Sequence, residues 1–151
     1  MPVLRIITDI DAPVEACFDL ARSIDLHLES MITSNERAIA GVTSGLIGAG
    51  QEVTWEARHL GRIWRMTSTI TEFDPPHRFV DEMVRGPFGR FRHEHGFAAQ
   101  GDGTRMTDVV SFRRGFGILG RLVDPFAARY LKHLMVLRNT AIRRKAEAGT
   151  A

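Results

Sequence analysis

The sequence predicts one α+β domain spanning residues 1–151, on three observations. The chain opens with a β-branched run closed by Ala12-Pro13 and an amphipathic helix. Its middle alternates apolar and polar side chains in segments split by turn formers, and it ends in a long stretch with apolar residues at helical spacing. With 44% of its 151 residues hydrophobic and 25% charged, the chain has the composition of an ordinary globular domain. Folding at this size buries roughly two-thirds of the unfolded surface, enough for a core without disulfides. The lone cysteine, Cys17, excludes an internal disulfide framework and a zinc knuckle. No apolar run approaches the roughly 20 residues of a membrane span. The opening, Met1 to Arg5, has neither the basic nor the apolar region of a signal peptide. A soluble, cytoplasmic protein without integral membrane association is expected.

Residues 3–10 read as the first strand, through Val3, Ile6, Ile7 and Ile10. Asp11-Ala12-Pro13 stops it: Pro13 suits the first position of a helix, Asp11 or Ala12 would cap it, and Glu15 puts a carboxylate where the helix dipole favours one. Val14, Phe18 and Ala21 give that helix an apolar side. A second short helix is expected over 25–33, with Leu28, Met31 and Ile32 inward, before a Gly-rich stretch of loop and short strand from Gly41 to Gly50. Residues 53–59 and 62–70 flank Leu60-Gly61, the length of a two-residue hairpin turn. Pairing His59 with Arg62 sets Trp55 opposite Met66, Ala57 opposite Trp64 and Val53 opposite Ser68 on one face. The other face then pairs Glu56 with Arg65 and Thr54 with Thr67. An apolar face backed by a polar one with an opposite-charge pair selects this register over a slip by one residue. Pro75-Pro76 ends the strand, 79–84 form another, and Arg85 to Gly89 turn the chain.

Residues 90–97 and 104–112 flank Gln100-Gly101-Asp102-Gly103, rich in turn formers. A loop centred there sets His95 opposite Asp108, His93 opposite Val110 and Phe97 opposite Met106, all on one face with Phe91 and Phe112. Arg92, Glu94, Arg105, Thr107 and Ser111 make the wet face, so His93, His95 and Asp108 point inward. Residues 117–147 read as one amphipathic helix with Leu119, Leu122, Val123, Phe126, Tyr130, Leu134, Leu137 and Ala141 at helical spacing, and Pro125 should kink it. Charge is uneven: residues 1–50 hold three Arg against seven Asp/Glu, while 113–147 hold nine Lys/Arg against Asp124 and Glu147, so the two ends should attract. The basic helix could meet nucleic acid or anionic lipid. No aromatic interleaving accompanies it, so it reads as a solvated face and no nucleic-acid partner is expected.

The order of elements resembles the START-like (SRPBCC) superfamily, in a bacterial branch of polyketide cyclase/dehydrase-like proteins. Ile10-Asp-Ala-Pro-Val-Glu-Ala-Cys-Phe18 is similar to the superfamily's opening, and Gly86-Pro87-Phe88, His93-Glu-His-Gly-Phe97, Gly103-Thr104 and Asp108 are similar to that branch. The resemblance implies a helix-grip fold: a curved antiparallel sheet wrapped around the long C-terminal helix, with two short helices after the first strand. It also implies a cavity between sheet and helix that binds a small hydrophobic molecule, lipid-like or polyketide-like, and in some members catalysis. It does not imply one reaction, because the fold hosts carriers and enzymes alike.

Given that cavity, Trp55, Trp64, Met66, His93, His95, Phe97, Met106, Phe126 and Tyr130 are the candidate ligand-binding residues, although any one alone reads as plain core. His95 oriented by Asp108 is the candidate general acid or base of the cyclase/dehydrase-like alternative. His93 and His95 on one strand face could also ligate a metal, with Asp108 or His59 third. No Cys or Glu cluster completes such a site, so neither metal nor cofactor is expected. Gly115 to Gly120 lacks a βαβ context, which argues against nucleotide binding, and reads as an entrance loop with Phe116 and Phe88 as exposed tips. Ser68 and Ser111 have no histidine partner in these registers, so a serine hydrolase is rejected. Cys17 reads as core. The partner expected is a small hydrophobic molecule, with a homodimer left open.

Overall fold

Two hairpins and their registers set the frame of the molecule. The computed structural model describes residues 2–113 and 117–149, the side chains of 117–124 excepted. In chain order it contains β1 (Val3–Ile10), α1 (Val14–Ala21), α2 (Ile24–Ser30), a 3-10 turn (Ile32–Ser34) and β2 (Arg37–Gly41). Then follow β3 (Glu52–His59), β4 (Arg62–Asp74), β5 (Arg78–Arg85), β6 (Arg90–Gln100), β7 (Gly103–Arg113) and α3 (Gly117–Gly149). The seven strands form one antiparallel sheet in the order β1-β7-β6-β5-β4-β3-β2. The sheet grips α3, which is the helix-grip fold.

Both expected registers are found. In β3–β4, His59 pairs with Arg62, Ala57 with Trp64 and Trp55 with Met66. On the outer face Glu56 holds Arg65 at 2.8 Å and also Arg37 of β2. The turn needs left-handed backbone at two successive residues, with φ of 53° at Leu60 and 77° at Gly61, which matches the twist of a tight hairpin. In β6–β7, His95 pairs with Asp108, Phe97 with Met106 and Phe91 with Phe112. The alternation is complete: Phe91, His93, His95 and Phe97 on β6, and Met106, Asp108, Val110 and Phe112 on β7, are buried. Bulges between Thr67 and Ser68 and between Ile70 and Glu72 interrupt the β4–β5 ladder and allow the sheet to bend.

The helices differ from expectation in detail. Pro13 is the residue before α1, not its first turn, and no side chain caps the helix there. α1 buries Cys17, Phe18 and Ala21, with Phe18 among Phe73, Phe79 and Phe97 at centroid distances of 5.5 Å. α2 starts earlier than expected, capped by the Ser23 hydroxyl, which accepts from Leu26 N–H at 3.2 Å. Its chain then tightens into the 3-10 turn, which leaves Ile32 78% exposed while Met31 stays buried. α3 runs through Pro125.

The inward face of α3 is the main correction. Phe126 is 71% exposed, whereas Leu134, Met135, Arg138, Asn139, Ile142 and Ala146 are buried. Leu134 and Ala141 of the expected stripe do face the core, but the inward face also takes in two polar side chains, Arg138 and Asn139, that a pattern of apolar residues leaves out. The opposite-charge ends meet where Lys145 lies 4.0 Å from Glu29, and nearby the Asp11 backbone N–H donates to Glu147 at 3.2 Å. Phe88 is not an exposed tip: it packs on Phe91 and Phe112 with centroids 5.3 and 5.7 Å away. Phe116 lies outside the described residues. No described helix is long and apolar enough to cross a membrane.

Candidate functional site

The sheet registers bring four titratable side chains to one wall. β5–β6 pairing sets Asp81 beside His93, and β6–β7 pairing sets His95 beside Asp108. The two imidazoles stack with centroids 3.7 Å apart, and Phe79 stacks on the far side of His95 at 4.1 Å. His93 Nε2 lies 2.7 Å from Asp108 Oδ1, and His95 Nε2 lies 2.7 Å from Asp81 Oδ2. An ionised carboxylate only accepts, so each of these nitrogens carries the proton and donates. His95 Nδ1 faces back, 3.2 Å from Asp108 Oδ1 and 3.3 Å from Arg138 Nη2.

The other half of the site comes from α3. Arg138 donates to Asp108 Oδ1 at 3.4 Å, to Asn139 Oδ1 at 3.1 Å and to the carbonyl of Ala21 at 3.0 Å. Ala21 ends α1, so this guanidinium also satisfies one of the carbonyls a helix end leaves free. Asn139 donates to Asp108 Oδ2 at 2.7 Å and to Thr8 Oγ1 at 3.1 Å. Asp108, with no exposed side-chain surface, thus ties β6, β7 and α3 together. A buried carboxylate is tolerated only when its oxygens are satisfied in this way.

The electrostatics follow from that geometry. Burial pushes the Asp108 carboxyl up, but the hydrogen bond from His93 and the Arg138 charge hold it well below its ordinary range. Asp81 is likewise lowered: burial opposes, while the hydrogen bond from His95 and the nearby positive groups prevail. His93 is pushed down to about 4, by burial first and then by the adjacent His95, against the pull of Asp108 and Asp81. At neutral pH the site holds two carboxylates, one guanidinium and a neutral His93.

Next to this cluster lies a cavity of about 120 Å³, walled mostly by apolar side chains, among them Trp55, Met66, Ile70, Phe79, Phe91 and Met135. Asp81, His93, His95 and Arg138 form its polar end, and Ser68, His27 and Glu36 also reach it. Ser68 Oγ is buried with no hydrogen-bond partner among the described residues. His27 bonds Glu36 at 2.7 Å and lies over Trp55 with centroids 4.2 Å apart.

Of the residues singled out from sequence, Trp55, Met66, His93 and His95 line the cavity. Trp64 does not; its Nε1 donates to the His59 carbonyl at 3.1 Å and Arg62 covers its ring. Phe97 and Met106 sit in the core with Phe18 and Ile10. Tyr130 does not line it either; its hydroxyl lies 2.8 Å from His59 Nδ1, and Phe126 faces out. The closest carboxylate to His95 is Asp81 rather than Asp108, whose nearest imidazole is His93. The sequence reading missed Asp81, Arg138 and Asn139. Asp81 had a findable signal, since Phe79 and Asp81 share a strand face, but the β5–β6 register does not follow from a short turn. His59, offered as a third metal ligand, is instead taken by Tyr130.

The family described as polyketide cyclase/dehydrase and lipid transport matches residues 3–147. No curated protein matches the chain. Among solved structures, a protein of Thermus thermophilus superposes with a TM-score of 0.80 at 20% identity, over 99% of this chain and 100% of that one. The Zhui aromatase/cyclase of a Streptomyces species does so with 0.78 at 14% identity, over 99% and 96%. A major latex-like protein of Panax ginseng gives 0.65 at 13% identity, over 96% and 97%. At these identities the likeness is one of fold.

Proposed function

The chain belongs to the polyketide cyclase/dehydrase and lipid transport family, and we propose that it binds a small hydrophobic or aromatic molecule in the cavity between sheet and α3. The ligand's apolar body lies against Trp55, Met66, Phe79 and Phe91, and its polar end meets His93, His95, Asp81 and Ser68, with Asp108 and Arg138 holding the two imidazoles from behind. The observation that carries this reading is the combination of an apolar wall with one convergent polar end, including a buried Ser68 hydroxyl that no described protein group satisfies. A volume of about 120 Å³ is on the scale of cavities that accept a single aromatic ring.

The test uses two ring probes that differ by one hydroxyl, p-cresol and toluene, in calorimetric titrations. We expect one p-cresol per chain, bound three- to tenfold tighter than toluene, since a net hydrogen bond contributes roughly 0.5–1.5 kcal/mol. Ser68→Ala should reduce that preference while leaving the melting temperature nearly unchanged. Equal affinities for the two probes, or no saturable binding of either, would overturn the reading.

A second reading is favoured by the His95–Asp81 contact at the cavity wall: acid–base chemistry on an enolisable carbonyl, as in a cyclase or dehydrase, with His95 taking or giving the proton. Here Asp108 is a positioning residue for the ring. Exchange of the α-protons of a 1,3-diketone into deuterated water, followed by NMR, tests it. Acceleration by the protein that is lost in Asp81→Asn supports catalysis, and a rate equal to buffer alone rejects it.

A further inference from the structure

We propose that Asp81, His93 and His95 form a binding site for one divalent first-row transition-metal ion of the zinc type, at the polar end of the cavity. One donor atom from each residue lies within 4.8 Å of the other two. His95 Nε2 is 2.7 Å and His93 Nδ1 is 4.0 Å from the same atom, Asp81 Oδ2. Ligands about 2.0–2.2 Å from a shared tetrahedral ion lie roughly 3.4 Å apart, so the His95–Asp81 contact must open and the His93–Asp81 contact close, each by less than an ångström. Two imidazoles and a carboxylate suit a borderline divalent ion, and three protein ligands facing a cavity leave a coordination position for water or an oxygen-bearing ligand.

The groups behind the ligands argue most strongly. A metal-bound imidazole nearly always donates its other N–H to a carboxylate or carbonyl, which fixes ring and tautomer. Asp108 Oδ1 stands 2.7 Å from His93 Nε2 and 3.2 Å from His95 Nδ1, so one buried carboxylate backs both rings from the side away from Asp81. Asn139 and Arg138 hold that carboxylate in place. Metal binding needs His95 to offer Nε2 without its proton and to carry one on Nδ1, facing Asp108 Oδ1, while Arg138 Nη2, now 3.3 Å from Nδ1, gives up that contact and keeps the Ala21 carbonyl. Two carboxylates, Asp81 and Asp108, stand against the single Arg138 guanidinium, a balance that favours an added cation.

The site goes beyond the ligand-binding reading and is tested without any organic ligand, so failure of one leaves the other standing. Chelator-treated protein is titrated with zinc by calorimetry and with cobalt by visible absorption. One zinc per chain is expected, with cobalt bands of a low-coordinate nitrogen and oxygen site. Asp81→Asn keeps the shape and the hydrogen bond to His95, so it should fold, and it should weaken zinc at least 100-fold and abolish the cobalt bands. Asp108→Asn, which touches no metal, should weaken zinc 10- to 100-fold. Removing the exposed His77 and His133 together should change nothing. Absence of zinc binding, or binding unaffected by Asp81→Asn and lost with His77 and His133, would overturn the assignment.

Discussion

Replacing Arg138 by Met tests whether the buried cluster holds α3 to the sheet. Met keeps most of the side chain's apolar volume but removes the cation facing Asp108 and the donor to the Ala21 carbonyl. The two side chains are 6% and 0% exposed, so solvent does little to replace the lost partner. Breaking a buried ion pair from one side costs about 3–5 kcal/mol, and a domain of this size loses roughly 2–4 °C of melting temperature per kcal/mol. A drop of about 10 °C is therefore expected, read by circular dichroism on metal-free protein at neutral pH. In the double variant Asp108→Asn/Arg138→Met the orphaned charge is gone. The two losses should then fall short of additivity by about 2 kcal/mol, in the range seen for contacting groups. A loss under about 1 kcal/mol for Arg138→Met, or strict additivity in the double variant, would refute the argument that this pair anchors the helix.

Acid should destabilise the metal-free fold in a defined window. The folded pKa of His93 is depressed from 6.5 to about 4, so the unfolded chain binds more protons between those values and stability falls as pH drops through them, by up to about 3 kcal/mol. Asp81 and Asp108, both lowered, continue the loss at lower pH, so urea midpoints that stay flat from pH 7 to 4.5 contradict the assignment. At the β3–β4 turn, Leu60 is 85% exposed and holds a φ of 53°. Leu60→Asn, better suited to left-handed backbone, should raise the melting temperature by about 3 °C, from about 1 kcal/mol of relieved strain. An unchanged or lower value would show that the turn carries no such strain.

How far the sequence could be read follows from the kind of signal each feature leaves. The β3–β4 and β6–β7 registers were legible because a short turn fixes the pairing and an apolar face fixes the phase, so Trp55 against Met66 and His95 against Asp108 came out correctly. β5 offered no such anchor: four residues, 86–89, separate it from β6, and bulges interrupt its pairing with β4, which hid Asp81. Hydrophobic periodicity found Leu134 and Ala141 on the inward face of α3 but missed its polar members for a physical reason. Arg138 and Asn139 are buried there to satisfy Asp108, and that demand comes from a strand about thirty residues away. Trp64 and Phe126 show the converse, since large apolar side chains are also found on surfaces and against backbone.

The measurement closest to the central claim is methyl NMR of the labelled methionines during titration with p-cresol. Met66 and Met135 line the cavity, whereas Met31 and Met106 are buried elsewhere in the core. Binding at the polar-ended cavity predicts saturable shifts of the Met66 and Met135 methyls at one probe per chain, with Met31 and Met106 nearly still. Shifts confined to other methionines, or none at saturating probe, would contradict it.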